Sequence, residues 1–169
     1  MLSRNIPGGL EDWIARKEAN TNEQARSLAK DVEIILQSTI LEMLKEEYDS
    51  DPEQWWFDGV PKDVRKKVDI QINESDGKAG TREQNFNLIH YREIIQHNWQ
   101  LFKDIFNYGG GGKEKGTLWI DEVNRIRNPV SHASREYQKK GALVSFEDIA
   151  QMQLYLDWLR IQIEKRKLD

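Results

Sequence analysis

Apolar residues recur every three or four positions along most of the chain, which is the spacing of a helix with one buried face. No segment alternates apolar and polar residues in the way that a half-buried strand does. Stripes of this kind fall within 21–48, 61–73, 82–107, 117–130 and 145–163. The pattern predicts an all-α fold, a bundle of four or five helices.

Each predicted helix has a set of residues that should face the core. In chain order these are Leu28, Val32, Ile35, Leu36, Ile40 and Leu44; Val64 and Val68; Leu88, Tyr91, Ile95, Trp99, Phe102 and Phe106; Leu118, Ile120, Val123, Ile126 and Val130; and Ile149, Met152, Leu156, Leu159 and Ile163.

The first helix is predicted to begin at Thr21, because residues 21–24 read Thr-Asn-Glu-Gln and match a capping box. Residues 1–20 are polar and contain a Pro-Gly-Gly turn, so we expect them to form an N-terminal arm or linker. The remainder, 21–169, is expected to be a single helical domain.

Other signals delimit the later helices. Pro61 is expected to open a helix. Four successive glycines at 109–112 should end the third long helix and read as a flexible linker. Pro129 is expected to kink the fourth helix. The last helix should be capped by residues 145–148, which read Ser-Phe-Glu-Asp.

Composition narrows the functional classes. The net charge of −4 argues against a general coat for nucleic acid, although a local positive site remains compatible with it. The absence of cysteine excludes disulfides and thiolate zinc sites. No apolar run approaches the ~18 residues of a membrane span, and the N-terminus does not resemble a signal peptide, so a cytoplasmic protein without membrane contact is expected.

One segment combines groups that can act on a phosphodiester: Arg127-Asn128-Pro129-Val130-Ser131-His132. A histidine exchanges protons near neutral pH, and an arginine offers a fixed cation to phosphate oxygens. Asn128 and His132 would share a helix face, whereas Arg127 and His132 would lie about 140° apart on a straight helix. A kink at Pro129 would be needed to turn Arg127 towards the same side.

The surroundings of this segment are more positive than the rest of the chain. Residues 121–140 contain five basic and three acidic side chains, a local charge of +2 in a chain of −4. This stretch is therefore suited to an anionic ligand.

At these residues the chain resembles the HEPN family, whose motif is an arginine, a polar residue, a few further residues and a histidine. Residues 119–132 are similar to the branch found as terminal domains of large bacterial defence proteins and of a nuclear RNA-surveillance endonuclease. Residues 91–102, together with Trp55-Trp56 and Val60-Pro61, also fit that branch. The resemblance covers about 25–165.

The resemblance implies a homodimer that places two motifs together and cleaves RNA without metal or cofactor, by attack of a ribose 2′-hydroxyl on the adjacent phosphate. His132 would be the general acid or base, Arg127 would steady the scissile phosphate, and Asn128 would orient the phosphate or the histidine. The residues expected to contact the RNA beside them are Arg125, Ser131 and Arg135. The family implies a role in antiviral defence or as a toxin.

Three alternatives stay open. Arg127 could be a surface arginine paired with Glu122 or another acid. The domain could be a non-catalytic module that assembles a larger defence or signalling complex, or a toxin held by an antitoxin.

His90 and His97 lack partners at metal-binding spacings and are expected to be packing or surface residues. The aromatic run 55–57 lacks adjacent basic residues, so base stacking is not favoured there.

Overall fold

The computed structural model describes residues 6–128 and 144–169, and within these ranges the chain is α-helical without β-strands. The all-α bundle is therefore confirmed. The α-helices are α1 (Ile6–Glu47), α2 (Gln54–Phe57), α3 (Lys62–Glu74), α4 (Leu88–His97), α5 (Trp99–Phe106), α6 (Gly112–Lys115), α7 (Leu118–Arg127) and α8 (Phe146–Leu168). Short 3-10 turns lie at Glu83–Asn85 and Tyr108–Gly110.

The long helix α1 packs along α8 and also contacts α4 and α7, while α5 packs between α4 and α8. The predicted stripes supply most of the core. The largest side chains with almost no exposure are Trp56, Phe102, Phe106, Leu36, Ile40, Leu44, Leu88, Ile94, Ile95, Ile120, Ile126 and Met152. Helix spacing therefore predicted the buried faces of α1, α4, α5, α7 and α8 well.

Of the predicted core residues that the structure describes, one is misplaced, and Val130 lies outside the described ranges. Leu118 is 52% exposed, whereas the adjacent Trp119 is 2% exposed. The indole N–H of Trp119 donates to the carbonyl of Phe106 at 3.0 Å, and its ring lies 5.4 Å from Trp158 and 6.0 Å from Tyr155. The larger ring, with a polar group that finds a partner, occupies the interior position at the start of α7.

The predicted start of the first helix is wrong. Helix α1 begins at Ile6, and Thr21 lies inside it with its hydroxyl donating to the carbonyl of Lys17 at 2.7 Å. A threonine in a helix interior can satisfy its hydroxyl by donating to a carbonyl four residues earlier. Its sequence context can look like that of an N-cap although no helix begins there. Pro7 is compatible with the first turn, because the amide that it lacks has no partner there. The division into an arm and a domain stays a prediction, although residues 9–20 are helical and almost all exposed.

The predicted helix over 82–107 is divided. Residues 83–85 form a 3-10 turn, and Asn98 separates α4 from α5 with a non-helical backbone (φ −111°, ψ 42°). The Asn98 amide donates to the carbonyls of Gly59 at 2.7 Å and Ile94 at 2.9 Å, and its oxygen accepts from the Tyr48 hydroxyl at 2.7 Å. A buried asparagine can therefore break the helix without leaving its polar groups unsatisfied.

The remaining boundaries follow local chemistry. The glycine run ends the helix as expected, and Gly109, Gly110 and Gly112 adopt positive φ values of 77°, 71° and 87° in a compact turn. Helix α8 has the predicted cap, with the Asp148 amide donating to the Ser145 hydroxyl at 3.0 Å. None of the helices in the described ranges is both long and apolar enough to cross a bilayer.

Candidate functional site

The end of α7 carries the described part of the predicted motif. Arg125 and Arg127 lie in its last turn, and Asn128 is the C-cap residue with φ −121° and ψ 63°. The helix ends at Arg127, before the end of the predicted stripe over 117–130, because a proline disfavours helical backbone in the residue that precedes it. The predicted kink at Pro129 and the predicted site residues Ser131, His132 and Arg135 lie outside the described residues.

The guanidinium of Arg127 forms an ion pair with Glu33 of α1. Its Nη2 also donates to the Asn124 side-chain oxygen at 3.5 Å, and the Asn128 amide donates to that same oxygen at 3.4 Å. Asn124 is 7% exposed, so it is a fixed acceptor one turn before the two motif residues. These contacts set the direction of the Arg127 side chain and bring Arg127 and Asn128 together.

The Arg127–Glu33 pair is half-buried. The side chain of Arg127 is 26% exposed and that of Glu33 is 19% exposed. Burial lowers the pKa of the Arg127 guanidinium, which still remains protonated at neutral pH. The site therefore contains a fixed cation whose charge is offset by one carboxylate and which stays open to solvent on one side.

Arg125, predicted to contact the same ligand, faces another part of the molecule. Its guanidinium lies 3.8 Å from Glu122 and 3.6 Å from Asp148, at the first turn of α8. Two residues along a helix are separated by about 200°, so Arg125 and Arg127 point to opposite sides of α7. The structure thus brings Arg127 and Asn128 together without Arg125.

A cavity of about 170 Å³ lies next to the Arg127–Glu33 pair. Its lining residues come from α1 and from the segment that leads into α4: Lys30, Glu33, Ile34, Gln37, Glu83, Gln84, Phe86 and Tyr91. Burial raises the pKa of Tyr91 to about 12, so its hydroxyl is neutral at pH 7. The cavity is polar, and it shares Glu33 with the ion pair.

Sequence reasoning missed Glu33. It lies 94 positions before Arg127 in the chain, and the acid expected for an ion pair was Glu122 or an unspecified residue. Its only signal was its position directly after Val32, at the edge of the buried stripe of α1. Such a position places a carboxylate beside the core, where it would need a cationic partner.

The described histidines have structural contacts. The backbone amide of Asn87 donates to Nδ1 of His90 at 3.3 Å, within the cap of α4, and burial lowers the pKa of His90. His97 is exposed, and its Nε2 lies 3.3 Å from the carbonyl of Asp58. In the described parts of the chain, no group of three or more histidines and carboxylates is placed to hold a metal ion.

Replacing Glu33 with glutamine should lower the free energy of unfolding by about 1–3 kcal/mol, between the values for exposed and buried ion pairs. The physical reason is that a half-buried guanidinium loses its carboxylate. Chemical denaturation of the wild type, Glu33→Gln, Arg127→Gln and the double variant would measure the coupling between the two residues.

A matched control is Glu23→Gln, an exposed glutamate of the same helix, which should change stability by less than about 0.5 kcal/mol. Strictly additive effects of the Glu33 and Arg127 substitutions would contradict the pairing.

By its fold class, the chain is an all-α bundle, and its candidate site contains an arginine, partly neutralised by a carboxylate, at the end of a short helix. Comparison of the chain with protein-family models, curated proteins and solved structures found no match. The function is therefore inferred from the residues of this chain.

Proposed function

We propose that this chain is a HEPN-type ribonuclease domain that cleaves RNA without a metal ion. The observation that supports the proposal best is the fixed orientation of Arg127, the first residue of the Arg-Asn-x-x-x-His segment, by Glu33 and Asn124. A preorganised cation that stays partly exposed is suited to stabilising charge that develops on a phosphate.

The proposed reaction is an internal transesterification. The ribose 2′-oxygen attacks the adjacent phosphorus as its proton passes to a base, and the 5′-oxygen of the next nucleotide leaves with a proton from an acid. His132 is the proposed acid or base, and in a homodimer the histidine of a second copy would serve the other role. Arg127 would bind the non-bridging oxygens, and Asn128 would orient the phosphate or the histidine. The products are a 2′,3′-cyclic phosphate and a 5′-hydroxyl.

The ion pair with Glu33 bears on how Arg127 would bind phosphate. In the free protein the carboxylate neutralises much of the cation, so phosphate must compete with Glu33 or bind the guanidinium edge that Glu33 leaves open. The five N–H donors of a guanidinium allow both partners at once. In this proposal Glu33 is a positioning residue and not a catalytic one.

The test is an RNA cleavage assay with a metal chelator present throughout. Single-stranded RNA should be cut to 2′,3′-cyclic phosphate ends, and the same sequence with 2′-O-methyl groups should remain intact, because it lacks the nucleophile. Mass spectrometry of the product ends is the measurement. Cleavage that depends on added metal, or that cuts the 2′-O-methyl strand, would exclude this chemistry.

A second candidate is a non-catalytic module that assembles a larger defence or signalling complex. Two observations favour it: the neutralisation of Arg127 by Glu33, and exposed apolar residues near the start of α1 and α8, namely Leu10, Trp13, Ile14 and Phe146. This candidate requires self-association, or association with a partner, without cleavage under any condition. Light scattering combined with the cleavage assay separates the ribonuclease from the assembly module. Growth arrest on expression would favour the version of the first candidate in which the ribonuclease is a toxin held by an antitoxin.

A further inference from the structure

An exposed phenylalanine at the end of α2 has two guanidinium groups close to its ring. Phe57 is 52% exposed, although its neighbours Trp55 and Trp56 are buried. The guanidinium carbons of Arg65 and Arg82 each lie 5.7 Å from the centroid of the Phe57 ring. A ring held in this way presents a cationic and aromatic surface to solvent.

Both arginines are held in place by other contacts. The Nε of Arg65 donates to the carbonyl of Val60 at 3.1 Å, and in the described part of the chain no carboxylate pairs with it. Arg82 lies 4.8 Å over the ring of Trp56, and its Nη1 is 3.3 Å from Glu53. Glu53 is 59% exposed, so this ion pair is weak and open to competition from another anion.

This surface adjoins the cavity beside Arg127. Arg82 directly precedes Glu83 and Gln84, which line that cavity. Beneath it, the ring of Trp56 stacks on Phe86 at 6.1 Å, and Phe86 lines the same cavity. The residues around Phe57 are therefore neighbours of the cavity lining, which includes Glu33, the partner of Arg127.

Two cations around one exposed ring match a ligand that alternates anionic groups with flat rings. Phosphates of a single strand can bind the guanidinium edges while a base stacks on the part of the Phe57 ring that stays exposed. A duplex fits poorly, because its bases are already stacked and paired.

We propose that Phe57, Arg65 and Arg82 form a binding surface for single-stranded RNA that extends the candidate site. The RNA class rests on the proposed function, while the surface itself rests on the contacts above. Its task is to hold the strand beyond the cleaved bond, so its loss should weaken RNA binding and leave the chemical step unchanged.

The experiment measures binding of a fluorescent single-stranded 2′-O-methyl oligonucleotide to the full chain by anisotropy, at several salt concentrations. Phe57→Ala should weaken binding at least about fivefold, the effect of losing one stacked base. Arg65→Ala should reduce the slope of log affinity against log salt by about 0.7, the effect of losing one phosphate contact. Glu53→Gln should tighten binding, because it frees Arg82.

The matched control is Ile70→Ala, which removes a 56% exposed apolar side chain from α3, the helix that carries Arg65, and should leave affinity unchanged. Circular dichroism would verify that each variant is folded. Three results would overturn the proposal. They are equal affinity of the wild type, Phe57→Ala and Arg65→Ala, an equal loss of affinity in Ile70→Ala, and no binding by the wild type. Normal binding through this surface without cleavage of ordinary RNA would reject the ribonuclease and keep the surface. Cleavage by the wild type together with unchanged RNA binding in these variants would reject the surface and keep the ribonuclease.

Discussion

Replacing His132 with alanine is expected to lower the rate of RNA cleavage about 10²- to 10⁴-fold, the usual contribution of one positioned acid or base. The imidazole is the only side chain of the Arg127–His132 segment that exchanges protons near neutral pH. Single-turnover cleavage in chelator is the measurement, because it reports the chemical step directly.

Replacing Arg127 with alanine should lower the same rate about 10²- to 10³-fold, the effect of removing one group that stabilises developing charge. Arg127→Lys keeps a charge for Glu33 but lacks the planar fork, so it should restore stability more fully than cleavage. A difference between the recovery of stability and the recovery of cleavage in Arg127→Lys distinguishes a role of Arg127 at the phosphate from a role in the ion pair alone.

His97→Ala and Arg160→Ala are the matched controls, because each removes an exposed side chain of the same type on another helix. Both should cleave at the wild-type rate. Undiminished cleavage by His132→Ala and Arg127→Ala would remove these residues from the mechanism. Loss of activity in the controls would show that the assay reports folding instead of chemistry.

The largest loss of stability is expected for Trp119→Ala, which should lower the free energy of unfolding by about 3–5 kcal/mol. The substitution leaves a void among Tyr155, Trp158 and the backbone of α5, and it removes the donor to the carbonyl of Phe106. Against a typical stability of about 5–15 kcal/mol, the variant should unfold at a much lower denaturant concentration.

Trp119→Phe separates the two causes, because it keeps a ring but leaves the Phe106 carbonyl without its partner, at a cost of about 1–3 kcal/mol. Leu118→Ala, one residue earlier and 52% exposed, should change stability by less than about 0.5 kcal/mol. If Leu118→Ala proved as harmful as Trp119→Ala, the assignment of Trp119 to the core would be wrong.

Local patterns predicted many of the elements. The stripe of Val32, Leu36, Ile40 and Leu44 is fully buried, because helical spacing alone places these residues on one face. Ser145 caps α8 through a residue three positions away. Such features depend on neighbours within one helical turn, and these neighbours are visible in the chain.

The errors arose where distant residues decide between local options. The sequence around Thr21 looks like that of a true N-cap. The difference is that α1 already begins at Ile6, so that Thr21 lies inside the helix. Asn98 would be tolerated in a helix, but Tyr48 and Gly59 supply hydrogen bonds that favour a break. Arg65 and Arg82 lie 8 and 25 positions from Phe57, so the aromatic run looked devoid of basic partners.

By itself, the order of residues determined the helical class and most of the buried faces, and it located the segment that contains an arginine, an asparagine and a histidine, because these depend on residue type and short spacing. Tertiary packing alone decided that Glu33 neutralises Arg127, that Arg125 turns towards α8, and that two guanidinium groups lie close to Phe57. Each of these is a contact between elements far apart in the chain, and its energy depends on burial and distance that no local pattern contains.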